Sequence, residues 1–167
     1  DDAKTLGIWR QDAATDAGSG WVFTSLPKYT LTDVFGNTYT GYYHGEVGVA
    51  PTFSNATGCT FTNGEWDGNN YTATVTFPFP VSGNNKENQL MICPFNSNEM
   101  YYVLSGTEVK ATKTDPTVTT KNNYLWAVYP SFEGKNIVYT IKSIAADKYV
   151  YTEATSRTHN QNTVIVN

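Results

Sequence analysis

The sequence predicts an all-β protein, on three observations. There is no convincing window of apolar residues at i, i+3, i+4 and i+7. What recurs instead is alternation within short runs of β-branched and aromatic residues. Those runs are bounded by Gly, Asn, Asp and Pro, the residues that supply turns.

Taken in order, residues 1 to 26 hold two candidate strands, 5 to 10 and 20 to 25, around a polar loop of Ala, Asp, Gly and Ser. Pro27 then punctuates the chain. A run of hairpins follows. Tyr29 to Phe35 and Thr38 to Gly45 flank Gly36-Asn37, while Thr60 to Trp66 and Tyr71 to Phe77 flank Asp67-Gly68-Asn69-Asn70. Both connections use residues that accept positive φ at low cost. Tyr71, Ala73, Val75 and Phe77 alternate with Thr72, Thr74 and Thr76, which predicts a strand with one buried and one wet face. Phe77-Pro78-Phe79-Pro80-Val81 ends the run, because two prolines cannot sit in a central strand. Residues 28–82 are therefore assigned to a small Ig-like or β-sandwich module. At about 55 residues it is near the lower size limit for an independent fold, and it is expected to lean on its neighbours.

Beyond the polar linker Ser82 to Asn88 the spacing changes. Leu90 to Pro94, Met100 to Leu104, Glu108 to Thr112 and Asn123 to Tyr129 predict four short strands, followed by Ile137 to Ile144, Tyr149 to Thr152 and Thr163 to Val166. Four strands in about 45 residues, then the first three of another set, is the periodicity of β-trefoil lobes. Residues 88–167 are assigned to trefoil-like lobes, the last incomplete, and residues 1–26 to the end of a preceding lobe. Two small β-sandwich domains are the alternative. The ends look like copies of one broken piece: Lys4-Thr5-Leu6-Gly7-Ile8-Trp9 leads through a Gly/Ser turn to Trp21-Val22-Phe23, and Asn162-Thr163-Val164-Ile165-Val166-Asn167 stops inside a strand. The chain thus reads as a segment of a repeating protein, joined to other domains of the same parent chain.

Composition narrows the function. At 167 residues and 40% hydrophobic content the chain can build a core. Its charged fraction is 16% and its net charge −4, which provides no basic stripe for phosphates and argues against nucleic acid as a partner. Aromatics reach 14%, with 12 Tyr and 4 Trp, a balance that resembles secreted, carbohydrate-facing β proteins. No apolar run is long enough to span a bilayer, so no transmembrane segment is expected. Asn55-Ala56-Thr57 and Asn70-Tyr71-Thr72 fit the N-glycosylation pattern, which an Asn- and Thr-rich chain also produces by chance. Cys59 and Cys93 are compatible with one disulfide or with two buried thiols, and their spacing fits no zinc or redox motif.

Residues 137 to 167 carry a family likeness. The run Tyr139-Thr140-Ile141-Lys142-Ser143-Ile144-Ala145-Ala146-Asp147-Lys148-Tyr149-Val150-Tyr151, then Arg157-Thr158-His159-Asn160-Gln161-Asn162-Thr163-Val164, resembles one lobe of a ricin B-type trefoil. A lobe of that family ends in Gln-x-Trp; here Tyr124-Leu125-Trp126 and Ser19-Gly20-Trp21 keep the Trp, a core residue in the family, and lose the Gln. The cadence of the whole chain also resembles secreted multidomain proteins of gut Bacteroidetes, in which such modules accompany glycan-degrading enzymes. The resemblance implies a glycan or glycoprotein partner and a secreted or cell-surface location. It places the sugar-binding acid at Glu153 and the amide-rich loop at His159, Asn160 and Asn162. The stacking position falls at Asn167, which is not aromatic, whereas in the N-terminal half-lobe it falls at Trp9, followed by Asp12 and Asp16.

Those residues suit the chemistry, since a shallow sugar site needs a ring for the apolar face of a pyranose and a few placed polar groups for its hydroxyls. Trp21 and Trp126 are expected in the core, and Trp9 either there or against a ligand. Tyr42 and His44 share a strand face, for which a cross-strand pair is the plain explanation. Catalysis has no signature. His44 and His159 are the only histidines and stand at no metal spacing, no nucleophile elbow or phosphate loop is present, and Glu46, Glu65, Asp67 and Glu153 read as solvated charges. The expectation is a non-catalytic carbohydrate-binding or adhesive segment without cofactor or metal, with a purely structural spacer and part of a glycoside hydrolase as the alternatives.

Overall fold

Strands β1 (Lys28–Asp33), β2 (Thr38–Tyr42), β3 (Thr60–Asp67) and β4 (Asn70–Thr76) form a four-stranded sheet in the order β2-β1-β4-β3. These come from a computed structural model that describes residues 25–83, 86–96, 99–113, 121–153 and 163–166, with the backbone alone for 121, 152–153 and 163–166. The β1–β2 and β3–β4 pairs are antiparallel and β1 lies parallel to β4. The predicted alternation holds: Tyr71, Ala73 and Val75 of β4 are buried, as are Tyr29, Leu31 and Asp33 of β1.

The first turn starts earlier than expected, because Asp33 captures it. Its carboxylate accepts from the Phe35 and Asn37 backbone N–H groups, both at 2.9 Å, from Asn37 Nδ2 at 2.8 Å and from the Tyr39 hydroxyl at 2.9 Å. Four hydrogen bonds satisfy a buried charge and end β1 at Asp33. On the opposite edge β3 carries a bulge between Thr62 and Glu65, where Asn63 has φ 55°.

The remaining strands, β5 (Tyr101–Ser105), β6 (Glu108–Thr112), β7 (Trp126–Glu133), β8 (Asn136–Ser143), β9 (Lys148–Glu153) and β10 (Thr163–Val166), are ordered β5-β6-β10-β9-β8-β7. Segment 90–92 joins the two ends of that array. Leu90 and Trp126 exchange backbone hydrogen bonds at 2.8 and 2.9 Å, and Tyr102 N–H donates to the Ile92 carbonyl at 2.9 Å. The array is thereby closed into a ring, the arrangement that removes exposed sheet edges.

Sequence and structure differ here in two places. Leu90 to Pro94 is an irregular segment with one bridge at Leu90 rather than a strand. The strand expected over Asn123 to Tyr129 is instead a 3-10 turn, Lys121–Tyr124, followed by β7, which runs through Pro130 to Glu133. Both backbone groups of Trp126 point to Leu90, so by the alternation of an antiparallel ladder Pro130 also faces away from β8. Its missing N–H falls where the β7–β8 ladder needs none.

The β7–β8 hairpin, paired over eight positions around a turn at Gly134 (φ 58°), serves two cores. Its turn end reaches the first sheet: Ile137 is buried with Tyr29, Leu31, Phe53 and Val75, and Phe132 and Tyr139 pack against them. Ser54 N–H donates to the Lys135 carbonyl at 2.7 Å, Ile137 N–H to the Ser54 carbonyl at 3.1 Å, and the Tyr29 hydroxyl to the Gly134 carbonyl at 2.7 Å. At its base Trp126, 1% exposed, and Leu104 form the buried centre of the ring, with Ile92, Val109, Ile141, Ala146 and Val150 half-buried around them. Trp126 Nε1 donates to the Tyr102 carbonyl at 3.0 Å, which satisfies its one polar atom. The chain is all-β, in an arrangement compatible with sandwich-like or trefoil-like packing. Cys59, half-buried with its Sγ 3.6 Å from the Tyr139 hydroxyl, and Cys93, exposed, are both free thiols.

Candidate functional site

The ring turns its polar face outward, and tyrosines collect there. Along β9, Tyr149 and Tyr151 stand two residues apart and therefore on one face, 50% and 40% exposed. Tyr149 pairs with Lys142 of β8, and Lys142 with Ala127 of β7, so Tyr129, two residues on from Ala127, belongs to the same face. The Tyr129 and Tyr149 rings meet edge to face, 6.3 Å apart at 68°. Such a contact orients both rings, and Tyr149 stays half exposed.

Charged groups border these rings. The Tyr129 hydroxyl donates to Glu87 Oε1 at 2.6 Å, and Lys142 Nζ donates to the same oxygen at 3.0 Å and pairs with Asp147 Oδ1 at 2.5 Å. Asp147 takes up that position through a turn with φ 55°, closed by its N–H on the Ser143 carbonyl at 3.0 Å. The turn Ile144-Ala145-Ala146-Asp147 joins β8 to β9, and the acid at its end is a partner of Lys142. Hydrogen bonds from Tyr129 and Lys142 hold the Glu87 carboxyl below its ordinary value. Burial, reinforced by the Glu87 carboxylate, pushes the Tyr129 phenol up to about 12. Hydrogen bonds to Asp147 and Glu87 raise the Lys142 ammonium. Each shift favours the state present at neutral pH: Glu87 ionised, Tyr129 a neutral donor and Lys142 charged.

Of the residues expected to bind sugar, Trp9, Asp12, His159, Asn160 and Asn162 lie outside the described residues. Glu153 ends β9, its backbone paired with Thr163 of β10. Tyr149 and Tyr151 stand in the segment that carries the family likeness, yet alternation alone does not tell an outward ring from an inward one. Tyr129, Glu87 and Lys142 converge only through the β7–β8–β9 register. Trp126 is a core residue, as expected. Tyr42 and Tyr43 separate, Tyr43 into the first core and Tyr42 into solvent, 64% exposed.

A second surface lies beside β2. A groove of about 610 Å³ is lined by Gly36 to Thr40, by Ser82 and Gly83, and by Tyr129 to Phe132 of β7. Among the described residues no charged side chain lines it. Asn37, fixed by Asp33, lies so close over Gly83 that a Cβ there would come within 1.7 Å of its Oδ1. Beside Trp126, the side chains of Ile92, Tyr102, Val109, Trp126, Ile141 and Val150 line a half-open apolar pocket of about 200 Å³. Among the described residues no group of three or more His, Cys, Asp or Glu could hold a metal ion, and no helix is long and apolar enough to cross a membrane. Comparison with known proteins finds no matching family model, no matching curated protein and no matching solved structure.

Proposed function

We propose that this chain is a non-catalytic segment of a secreted or cell-surface bacterial protein and binds carbohydrate through the tyrosine face of β7 to β9. One observation carries the reading: two exposed rings, Tyr149 and Tyr151, stand on one strand face beside an ordered set of hydrogen-bonding groups on Tyr129, Glu87, Lys142 and Asp147. Rings that stack on a pyranose and polar groups that take its hydroxyls are what a shallow sugar site requires. The resemblance of residues 137 to 167 to a ricin B-type lobe and of the whole chain to glycan-associated proteins of gut Bacteroidetes supports the same reading. Single contacts of this kind are weak, and repeated modules of a longer parent would supply avidity.

At the tyrosine face, binding is favoured over hydrolysis by Glu87. A glycosidase needs one carboxyl with a raised pKa to protonate the leaving oxygen, whereas Glu87 is held ionised. A purely structural spacer is the second reading, favoured by the loss of Gln from both Trp motifs and of a ring at Asn167. A glycan array probed with the chain and with a Tyr149→Ala/Tyr151→Ala variant separates the two. Glycan binding that the variant loses is expected, and no binding to any glycan, or binding indifferent to both tyrosines, would contradict the proposal.

A further inference from the structure

The groove beside β2 and the tyrosine face meet at Tyr129. Its ring lies 6.3 Å from that of Tyr149, and the same residue lines the groove together with Ser131 and Phe132. Ser131, two residues on, shares the outward face of β7 with Tyr129 and is exposed. Across the joint Thr38 and Thr40 alternate with Tyr39 along β2, and both are exposed. The two strands come together beneath these side chains, where the Tyr39 and Phe132 rings lie 5.1 Å apart and pack against the first core. That contact is the floor of the groove, and the exposed Thr38, Thr40 and Ser131 form its rim.

The lining has the chemistry of a sugar subsite. Its hydroxyls and the Asn37 amide can both donate and accept, as the hydroxyls of a sugar do, and the Tyr129 ring supplies apolar surface. Asn37 is already fixed by two hydrogen bonds to Asp33, so a ligand need not order it. The charges that border the groove are engaged within the protein. Asp33 accepts from four donors, Lys86 lies over the Phe35 ring at 5.5 Å, and Lys142 pairs with both Glu87 and Asp147.

Distance sets the length of the ligand. From Tyr149 on β9 to Thr38 and Thr40 on β2 the path crosses β8 and β7, interstrand steps of about 4.8 Å or more each. A single pyranose is too short to touch both ends. From this we infer that the groove is a second subsite of the same surface, and that the ligand is a linear, neutral oligosaccharide running from the Tyr149 and Tyr151 rings across Tyr129 to Thr38, Thr40 and Ser131. The inference rests on the sugar-binding role proposed for the tyrosine face and adds to it the length and direction of the bound chain. A chain anchored on the rings presents its next residues to the groove at high effective concentration, so the second subsite shows as affinity gained with length.

The test titrates the whole chain calorimetrically with linear cello-, xylo- and manno-oligosaccharides, each as disaccharide and hexasaccharide. In at least one series the hexasaccharide is expected to bind about tenfold more tightly, the effect of one or two added hydrogen bonds. Thr38→Val/Thr40→Val keeps the β-branched shape suited to a strand and removes the hydroxyls, so it should cancel that gain and leave the disaccharide unchanged. Should that variant fail to fold, amide shifts of the unaltered chain replace it: the hexasaccharide should move Thr38, Thr40 and Ser131, and the disaccharide should not. Equal affinity for both lengths in every series, a gain that survives the double substitution, or hexasaccharide shifts that stop at Tyr129 would overturn the inference and leave the tyrosine face standing as a sugar site. So would a galacturonic acid hexasaccharide that binds as tightly as the neutral ones. Failure of the underlying reading looks different: neither length binds, or Tyr149→Ala leaves disaccharide binding intact, and the inference falls with it.

Discussion

At the turn of the β7–β8 hairpin, Phe132 is held among three other rings, 5.9 Å from Tyr29, 5.1 Å from Tyr39 and 5.4 Å from Phe53, and Ile137 beside it is 2% exposed. Six residues away, at the base of the same hairpin, Trp126 is equally buried, and among the described residues half-covered aliphatics and a half-open apolar pocket of about 200 Å³ lie around it. Among the described residues, one core is built of interlocking aromatic edges and faces and the other around one large ring. The denser core belongs to the region without the tyrosine face. The looser one supports it, and its outer surface carries the exposed rings. A strand pair shared by both lets the rigid region anchor a shallow, solvent-facing site.

The largest effect that sharpens this contrast should come from Trp126→Ala, which removes most of a core and the hydrogen bond to Tyr102. A loss of about 4 kcal/mol is expected by denaturant unfolding, against about 3 kcal/mol for Ile137→Ala, where neighbouring rings remain to support the site. Comparable losses for these two changes would break the contrast.

How far this was legible follows from the physics of each region. Alternation in β4 gave its buried face correctly because residues of a strand alternate at every step, and Glu108 to Thr112 and Thr163 to Val166 were predicted to the residue. The β7 strand was cut short at Pro130, since a proline stops a strand only where its N–H is needed, and that depends on which edge it faces. Asp33, which the sequence placed inside the strand Tyr29 to Phe35, is a buried organiser of the first turn, and no motif marks the four donors it gathers. The tyrosine face stayed hidden for a related reason: its groups come from β7, β8, β9 and the linker before β5, joined by register alone.

Asp33→Ala is the next largest change. Losing an acceptor for four donors should cost about 2 to 3 kcal/mol and release Asn37 and Tyr39 at the groove, visible as lost amide protection at Phe35 and Asn37. A smaller pair of substitutions addresses packing directly. Val150→Ile, which extends into the half-open apolar pocket beside Trp126, is expected to stabilise by about 0.5 to 1 kcal/mol, whereas Val75→Ile in the buried first core should destabilise by about 1 to 2 kcal/mol. Changes of the same sign in thermal unfolding would mean that the two cores are equally filled.

The mildest probe is pH. The Tyr129 phenol is raised, so its contribution is full below its ordinary value of 10.0 and lost as pH climbs through about 12. Glu87 is lowered, so its contribution is present above its ordinary value of 4.5 and lost as pH falls through the lowered one. Tyrosinate absorbance should show several late-titrating phenols, buried Tyr39 and Tyr139 among them, of which one moves part of the way back toward 10.0 in Glu87→Gln; an unmoved titration would mean that Glu87 does not hold Tyr129.

The claim that the tyrosine face binds carbohydrate is tested most directly by titrating the isotopically labelled chain with a disaccharide selected on the array and following backbone and ring resonances. Shifts confined to Tyr149, Tyr151, Tyr129 and Lys142, abolished by Tyr149→Ala, are the predicted result. Shifts centred on the first sheet, or unchanged in Tyr149→Ala, would contradict it.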